Sequence, residues 1–223
     1  RVVVTGSAGT GKTFLALEEA KRWSRLGARV FFTCFNRNLA RYLRHALDGY
    51  SVDIENFHSF IVRTVHQAGK HTELPRATED EMLKLFYPEA CAITLLESKS
   101  FQPYDVLIVD EAQDLLLDSY VDVFDAVLQD GLEGGQWRVF LDLNQDLYQG
   151  TAVGPWSRII NNATRFELGI NCRNTRNIAL TVSAVSGIDP ARTIHLPGPE
   201  VKVHFVRDAQ DERRQVSKTV NRL

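Results

Sequence analysis

Eight consecutive residues near the start of the chain have the types and spacing of a phosphate-binding loop. They are Gly6-Ser7-Ala8-Gly9-Thr10-Gly11-Lys12-Thr13, which fits the pattern Gly-x-x-x-x-Gly-Lys-[Ser/Thr]. An apolar run, Val2–Val4, precedes the loop and an amphipathic segment, residues 14–26, follows it. The loop is therefore predicted to join a strand to a helix. Glycines let the backbone curl so that its N–H groups face an anion, and the start of the helix adds its own free N–H groups.

We expect all eight loop residues to bind the phosphates of ATP. Lys12 is expected to reach the β- and γ-phosphates, and the Thr13 hydroxyl is expected to bind Mg²⁺. The sequence thus predicts ATP and Mg²⁺ as ligands. The alternative interpretation is a glycine-rich turn that binds nothing.

A second motif begins where another apolar run ends. The run Val106–Val109 leads into Asp110-Glu111-Ala112-Gln113-Asp114. An acid at the tip of a buried strand can hold Mg²⁺, which is the role expected for Asp110. Glu111, beside it, is expected to accept a proton from an attacking water as a general base. The alternative is that these acids only cap the next helix.

Strand and helix patterns alternate along the chain and predict an α/β fold. The expected strands are Val2–Thr5, Ala28–Cys34, Val52–Asn56, Val106–Asp110, Arg138–Asp142, Arg165–Leu168 and Val201–Val206. The expected helices are Lys12–Leu26, Arg37–Leu47, Ser59–Ala68, Glu79–Glu97, Leu115–Leu128 and Thr175–Ser186. Strands separated by helices indicate crossover units, hence a mainly parallel sheet flanked by helices. Ligands of such folds gather at the carboxyl ends of the strands.

Composition restricts the class of protein further. The chain has 223 residues, a formal net charge of −2 and 44% hydrophobic residues, so it can bury a core and is not globally basic. Its 3 cysteines are widely spaced and fit neither a disulfide framework nor a metal site, which favours a reducing compartment. No signal peptide or membrane-spanning run is visible. We expect a cytoplasmic protein without a membrane partner, and we expect both ends to be truncated.

Several stretches, in order, resemble motifs of superfamily 1 UvrD/Rep-like helicases. They are Asp110–Asp114, Thr33-Cys34-Phe35-Asn36-Arg37, Asn56-Phe57-His58-Ser59-Phe60, Leu141–Tyr148 and Leu168-Gly169-Ile170-Asn171-Cys172-Arg173-Asn174. The resemblance implies a RecA-like P-loop NTPase domain over residues 1–168 and the truncated start of a second RecA-like domain over residues 169–223. It also implies a motor that translocates on single-stranded DNA by ATP hydrolysis, with RNA left open as the track.

The resemblance assigns further roles to individual residues. Gln145 is implied to sense the γ-phosphate and position water, and Arg173 to touch the γ-phosphate from the second domain. The residues implied to contact nucleic acid are Phe35, Asn36, Phe57, His58 and Tyr148. The alternatives are that Phe57 is a core residue and that His58 is structural.

Three positions depart from the family pattern. Cys172 replaces a tyrosine that stacks on adenine, Gly150 replaces a base-stacking tryptophan, and Phe14 replaces an arginine. Taking over some of the stacking is one interpretation of Phe14, and burial is the simpler expectation for it. These departures keep two other functions open. One is a regulatory P-loop ATPase that does not move on nucleic acid. The other is a nucleotide-dependent module fused to a nuclease, without unwinding activity. The full-length protein is expected to carry such a nuclease or further helicase domains.

Overall fold

The computed structural model of the protein describes residues 1–142, 163–187, 192–194 and 196–221. The chain forms two compact units, Arg1–Arg173 and Asn174–Leu223. The boundary expected after residue 168 falls before this division, because residues 171–173 pack and hydrogen-bond against the phosphate loop. Arg173, which the family resemblance implied for the second domain, therefore belongs to the first unit.

The first unit alternates strands and helices. Its strands are β1 (Val2–Gly6), β2 (Val30–Cys34), β3 (Val52–Asn56), β4 (Val106–Asp110), β5 (Gln136–Leu141), β6 (Thr164–Leu168) and β7 (Ile170–Asn171). Its helices are α1 (Lys12–Arg25), α2 (Arg37–Ala46), α3 (Phe57–Gln67), α4 (Glu79–Glu81), α5 (Tyr87–Glu97), α6 (Asp118–Val127) and α7 (Gly131–Gly134). A π-helical segment, Met82–Phe86, joins α4 to α5. In the described ranges, no helix has the length and apolar character needed to cross a bilayer.

The first six strands form one sheet in the order β3-β2-β4-β5-β1-β6. Every pairing in it is parallel, so the predicted α/β fold with a mainly parallel sheet flanked by helices is confirmed. Strand β5 lies between β1, which leads into the phosphate loop, and β4, which ends at Asp110.

Two hydrophobic clusters cover the two faces of this sheet. Alternate residues of a strand point to opposite faces, so Leu107 and Val109 enter one cluster while Val106 and Ile108 enter the other. The first cluster includes residues of α3, α5 and α6, and the second includes residues of α1 and α2. Burial on both faces explains why β4 is apolar without alternation.

Because the strands are parallel, their carboxyl ends meet at one edge of the sheet. We call this the carboxyl edge; at it lie Gly6, Cys34, Asn56, Asp110 and Leu141, which end β1 to β5. The loops that carry the predicted site residues leave the sheet there.

The second unit contains helices α8 (Arg176–Ser186) and α9 (Ala209–Val220) and the short strand β8 (Arg192–Thr193). The expected strand Val201–Val206 is wrong: the segment has no strand pairing, and Val203 and Phe205 are exposed. An apolar, β-branched run becomes a strand only when a neighbouring strand pairs with its backbone.

Asn56 joins the end of β2 to the start of α3, and its loss should destabilise the first unit. The side chain is 4% exposed, accepts a bond from the Ser59 amide at 3.1 Å, and donates to the carbonyl oxygens of Cys34 and Phe35. Replacing Asn56 by Ala removes a helix cap and the hydrogen bonds to the Cys34 and Phe35 carbonyl oxygens, so we expect a loss of about 2–3 kcal/mol in urea unfolding.

Asn36 provides the matched control for this measurement. It caps α2 through bonds from the amides of Asn38 and Leu39, but it is exposed. Asn36→Ala should cost only about 1 kcal/mol, the usual value of a cap alone. Equal losses in the two variants would contradict the connecting role of Asn56.

Candidate nucleotide-binding site

The loop from Gly6 to Thr13 runs from the end of β1 into α1. Gly9 and Gly11 have φ angles of +84° and +93°, which only glycine adopts without strain. Gly11 is the N-cap of α1, and no side chain in the described ranges caps the helix there. The first amides of α1 therefore remain available to an anion at this edge.

Lys12 is held inside this loop. Its side chain is only 6% exposed, and its ammonium donates to the carbonyl oxygens of Gly6 at 2.7 Å and Ser7 at 3.1 Å. The Asp142 carboxylate, just after β5, lies 3.7 Å from the same nitrogen. A positive charge thus stands at the centre of a backbone curl, where it can attract phosphate oxygens.

Thr13 and Asp110 meet although they lie 97 residues apart in the chain. The Thr13 hydroxyl donates to Asp110 Oδ2 at 2.7 Å, and the Glu111 amide donates to Oδ1 at 3.0 Å. Burial raises the pKa of Asp110 to about 6, while the Thr13 hydrogen bond acts in the opposite direction. A hydroxyl and a carboxylate are hard oxygen donors, so this pair fits a Mg²⁺ ion that keeps most of its waters.

Glu111 adopts an unusual backbone conformation. Its φ of 52° and ψ of 45° are left-handed, a region that residues other than glycine rarely occupy. Gln113 Nε2 donates to Glu111 Oε2 at 2.7 Å, which fixes the direction of the carboxylate. The left-handed turn and the Gln113 hydrogen bond therefore fix the candidate general base at the end of β4.

Gln113 lies within the acidic motif, and its functional role emerges only from its contacts in the fold. Both polar atoms of its side-chain amide form hydrogen bonds. Nε2 donates to the Glu111 carboxylate, and Oε1 accepts a bond from the backbone N–H of Asp142 at 3.1 Å. Gln113 thus connects the end of β4 to the end of β5. The signal that could have revealed it is an amide placed inside a run of acids.

Arg173 and its neighbours lie against the phosphate loop. The Cys172 amide donates to the Gly9 carbonyl at 2.8 Å, and Asn171 Nδ2 donates to the Ala8 carbonyl at 3.2 Å. Arg173 approaches the loop so closely that a Cβ added at Gly9 would lie 3.0 Å from its own Cβ. The role implied for the Arg173 side chain stays a prediction. Gln145, the other predicted phosphate sensor, lies outside the described residues.

The residues predicted to contact nucleic acid divide into buried and exposed ones. The expectation for Phe57 is wrong: its side chain is 0% exposed, because the ring packs against Tyr120 and Phe124 at centroid distances of 4.8 and 5.1 Å. Phe35 is 42% exposed, and Asn36 is exposed beside it. Tyr148 lies outside the described residues, as does Gly150.

His58 is half-buried between Phe35 and Tyr120. Its Nε2 lies 2.9 Å from the Tyr120 hydroxyl, and burial lowers the pKa of the ring, assisted by the charge of Arg37. Its ring meets Phe35 edge-on at 5.2 Å. His58 therefore packs against the exposed ring of Phe35, and its burial disfavours the protonated form of the imidazole. Phe14, expected to be buried, is 72% exposed at the start of α1, because that helix turns only residues such as Ala16 and Leu17 inward.

A family model described as an AAA domain matches residues 1–151. The chain therefore belongs to the AAA domain family and is a P-loop ATPase domain. The phosphate loop, Lys12 and Asp110 all fall within the matched range.

Solved structures give weaker likenesses. One is DnaA from Aquifex aeolicus bound to AMPPCP, with 15% identity and a TM-score of 0.43 over 84% of this chain and 46% of that chain. Another is the flagellar accessory protein FlaH from Methanocaldococcus jannaschii, with 12% identity and a TM-score of 0.38 over 74% of this chain and 69% of that chain. The chain spans about half of the DnaA chain that it matches. A comparison with curated proteins finds no match.

Lys12→Ala should weaken nucleotide binding. The substitution removes the only side-chain cation that the described loop presents to phosphates, so we expect the affinity for a fluorescent ATP analogue to fall at least about tenfold. Fluorescence titration measures this change. The matched control is Lys21→Ala on the same helix, whose ammonium pairs with Glu18; an equal loss in both variants would refute the assignment of Lys12.

Proposed function

We propose that this chain is the ATP-binding core of a nucleic-acid-dependent ATPase of the UvrD/Rep-like kind, which translocates on single-stranded DNA by hydrolysing ATP. The observation that carries the proposal is the hydrogen bond between Thr13 and Asp110 at the carboxyl edge, with the Lys12 ammonium held in the same phosphate loop. The resemblance to helicase motifs, which continues beyond the phosphate loop, supports this more specific assignment within the P-loop ATPases.

The loop residues bind the triphosphate. Backbone N–H groups of the loop and of the first turn of α1 face the phosphate oxygens, and Lys12 leaves its carbonyl partners to pair with the β- and γ-phosphates. Thr13 and Asp110 are the residues that would hold Mg²⁺, which neutralises charge on the phosphates when bound.

Hydrolysis needs a proton acceptor beside the γ-phosphate. In this proposal, water attacks the γ-phosphorus, its proton passes to the Glu111 carboxylate, and the bond to the bridging oxygen breaks to give ADP and phosphate. Gln113 orients Glu111 for this step. In this proposal, Gln145 positions the attacking water. Arg173 stabilises the negative charge that develops on the γ-phosphoryl group.

Single-stranded DNA would run over the carboxyl edge beside β2 and α3. Phe35 offers an exposed ring on which a base can stack, and stacking is tolerant of sequence. Arg37 and Arg41 are exposed one helical turn apart on α2 and can pair with phosphates. A cavity of about 560 Å³, lined in part by Arg37, His58 and Tyr87, opens beside them.

Glu111→Gln should separate binding from turnover. The amide keeps the shape of the carboxylate but cannot accept the proton, so we expect ATP affinity within about threefold of the wild type and kcat lower by about 10²-fold or more. Steady-state ATPase assays and nucleotide titrations measure the two effects. Glu18→Gln, on the exposed face of α1, is the control and should match the wild type. Loss of ATP binding in Glu111→Gln would show that its role is misassigned.

Single-stranded DNA should stimulate the ATPase of the full-length protein. The decisive measurement is the turnover rate with and without an oligonucleotide, together with the salt dependence of oligonucleotide binding. Equal turnover in both conditions would remove the motor assignment and favour the regulatory ATPase or the nuclease-fused module.

The Phe35→Ala variant tests whether single-stranded DNA contacts the protein at Phe35. Loss of one stacked base is worth about 1–3 kcal/mol, so oligonucleotide affinity should fall about 5- to 150-fold. The control is Phe166→Ala, because Phe166 is 54% exposed but lies on β6, four strands away in the sheet. If both variants bind the oligonucleotide equally well, the proposed DNA path is wrong.

A further inference from the structure

The segment that follows β6 returns to the phosphate loop within the first unit. Asn171 is 5% exposed, and its Nδ2 donates to the Ala8 carbonyl at 3.2 Å. The backbone amide of Cys172 donates to the Gly9 carbonyl at 2.8 Å. The carbonyl groups of Ala8 and Gly9 therefore accept hydrogen bonds from a segment outside the phosphate loop. A bound phosphate contacts N–H groups and not carbonyls, so it does not compete for these bonds.

The same Asn171 side chain also fixes Arg173. Its Oδ1 accepts a bond from the Arg173 amide at 3.0 Å, which turns the backbone at residues 171–173. One buried amide thus contacts the phosphate loop with its nitrogen and the backbone of Arg173 with its oxygen. A displacement of the Ala8 carbonyl would therefore be passed to the Arg173 backbone through the Asn171 side chain.

Gly9 supplies an independent indication of this contact. It occupies one of the four variable positions of the phosphate-loop pattern, so the pattern does not demand glycine there. A Cβ at Gly9 would lie 2.6 Å from Asn171 Oδ1 and 3.0 Å from Arg173 Cβ, and φ is +84°. The close approach of the Asn171 segment, together with the left-handed backbone, explains why glycine stands at this position.

We propose that Asn171 is a positioning residue that couples the phosphate loop to Arg173. It has two effects: it holds the Ala8–Gly9 backbone in the shape that receives phosphates, and it sets the distance of Arg173 from that backbone. The second effect rests on the proposed role of Arg173 at the γ-phosphate. The first does not, because it concerns the loop alone.

The loop effect is tested with ADP, which lacks the γ-phosphate. In the full-length protein, Asn171→Ala should weaken binding of fluorescent ADP about three- to tenfold, the range expected for one or two neutral hydrogen bonds. Hydrogen exchange of the amides of residues 7–10 should accelerate in the same variant. Asn177→Ala is the matched control, because Asn177 Nδ2 also bridges two carbonyls, those of Gly198 and Pro199, but in the second unit. Equal behaviour of the two variants overturns the inference.

The coupling to Arg173 is tested with a double-mutant cycle on kcat. Asn171→Ala should lower kcat about tenfold in the wild-type background but less than about twofold in the Arg173→Ala background, because the residue being positioned is gone. Equal factors in both backgrounds would mean a general structural role and overturn the coupling. If Arg173→Ala itself leaves kcat unchanged, the proposed role of Arg173 fails, and the ADP and exchange data still decide the loop effect.

Gly9→Ala approaches the same contact from the loop side. The added methyl group should displace Asn171 and reproduce the weaker ADP binding and the faster exchange. Gly27→Ala controls for backbone strain, since Gly27 has a φ of +79° with nothing within 4 Å of the added carbon. Thermal unfolding identifies any variant that fails to fold. If the Gly9→Ala variant folds and its affinity for ADP equals that of the Gly27→Ala variant, the inference is contradicted.

Discussion

The contact between the Thr13 hydroxyl and the Asp110 carboxylate is the constraint on which the rest of the site depends. It joins the phosphate loop after β1 to the end of β4, although β5 separates these two strands in the sheet. A fully buried carboxylate is costly unless hydrogen bonds satisfy it. Asp110 therefore needs Thr13 and the Glu111 amide as hydrogen-bond partners. Because Thr13 lies in the first turn of α1, its bond to Asp110 holds the start of that helix next to the end of β4.

The intervening strand β5 takes part in the site through Asp142. Its carboxylate lies near the Lys12 ammonium, and its backbone N–H is held by Gln113, which in turn holds Glu111. The loop cation and the candidate base thus belong to one polar network across three strand ends. In a buried setting such networks specify one arrangement, because each unpaired member carries a desolvation penalty. The left-handed turn at Glu111 is the local strain that this network maintains.

The carboxyl edge combines core packing with an open surface. Phe57 and Tyr120 fill the space behind His58, which in turn supports the exposed ring of Phe35. Two phenylalanines that follow the ends of adjacent strands therefore differ in environment: Phe57 packs in the core, while Phe35 is exposed. The direction of each side chain, set by strand and helix geometry, decides between the two. For this reason a motif that resembles a nucleic-acid contact can contain a residue that never reaches the solvent.

The sequence by itself determined the phosphate loop, the acids after β4 and the alternating parallel fold, because each depends on a local pattern of glycines, charges or apolar periodicity. Only the tertiary structure decided which residues meet across the chain. Gln113 and Asn171 gained roles through contacts with distant backbone, Arg173 joined the first unit, Phe57 became core, and the run at Val201–Val206 stayed unpaired. Burial and backbone pairing are properties of neighbours far away in sequence, which no local spacing encodes.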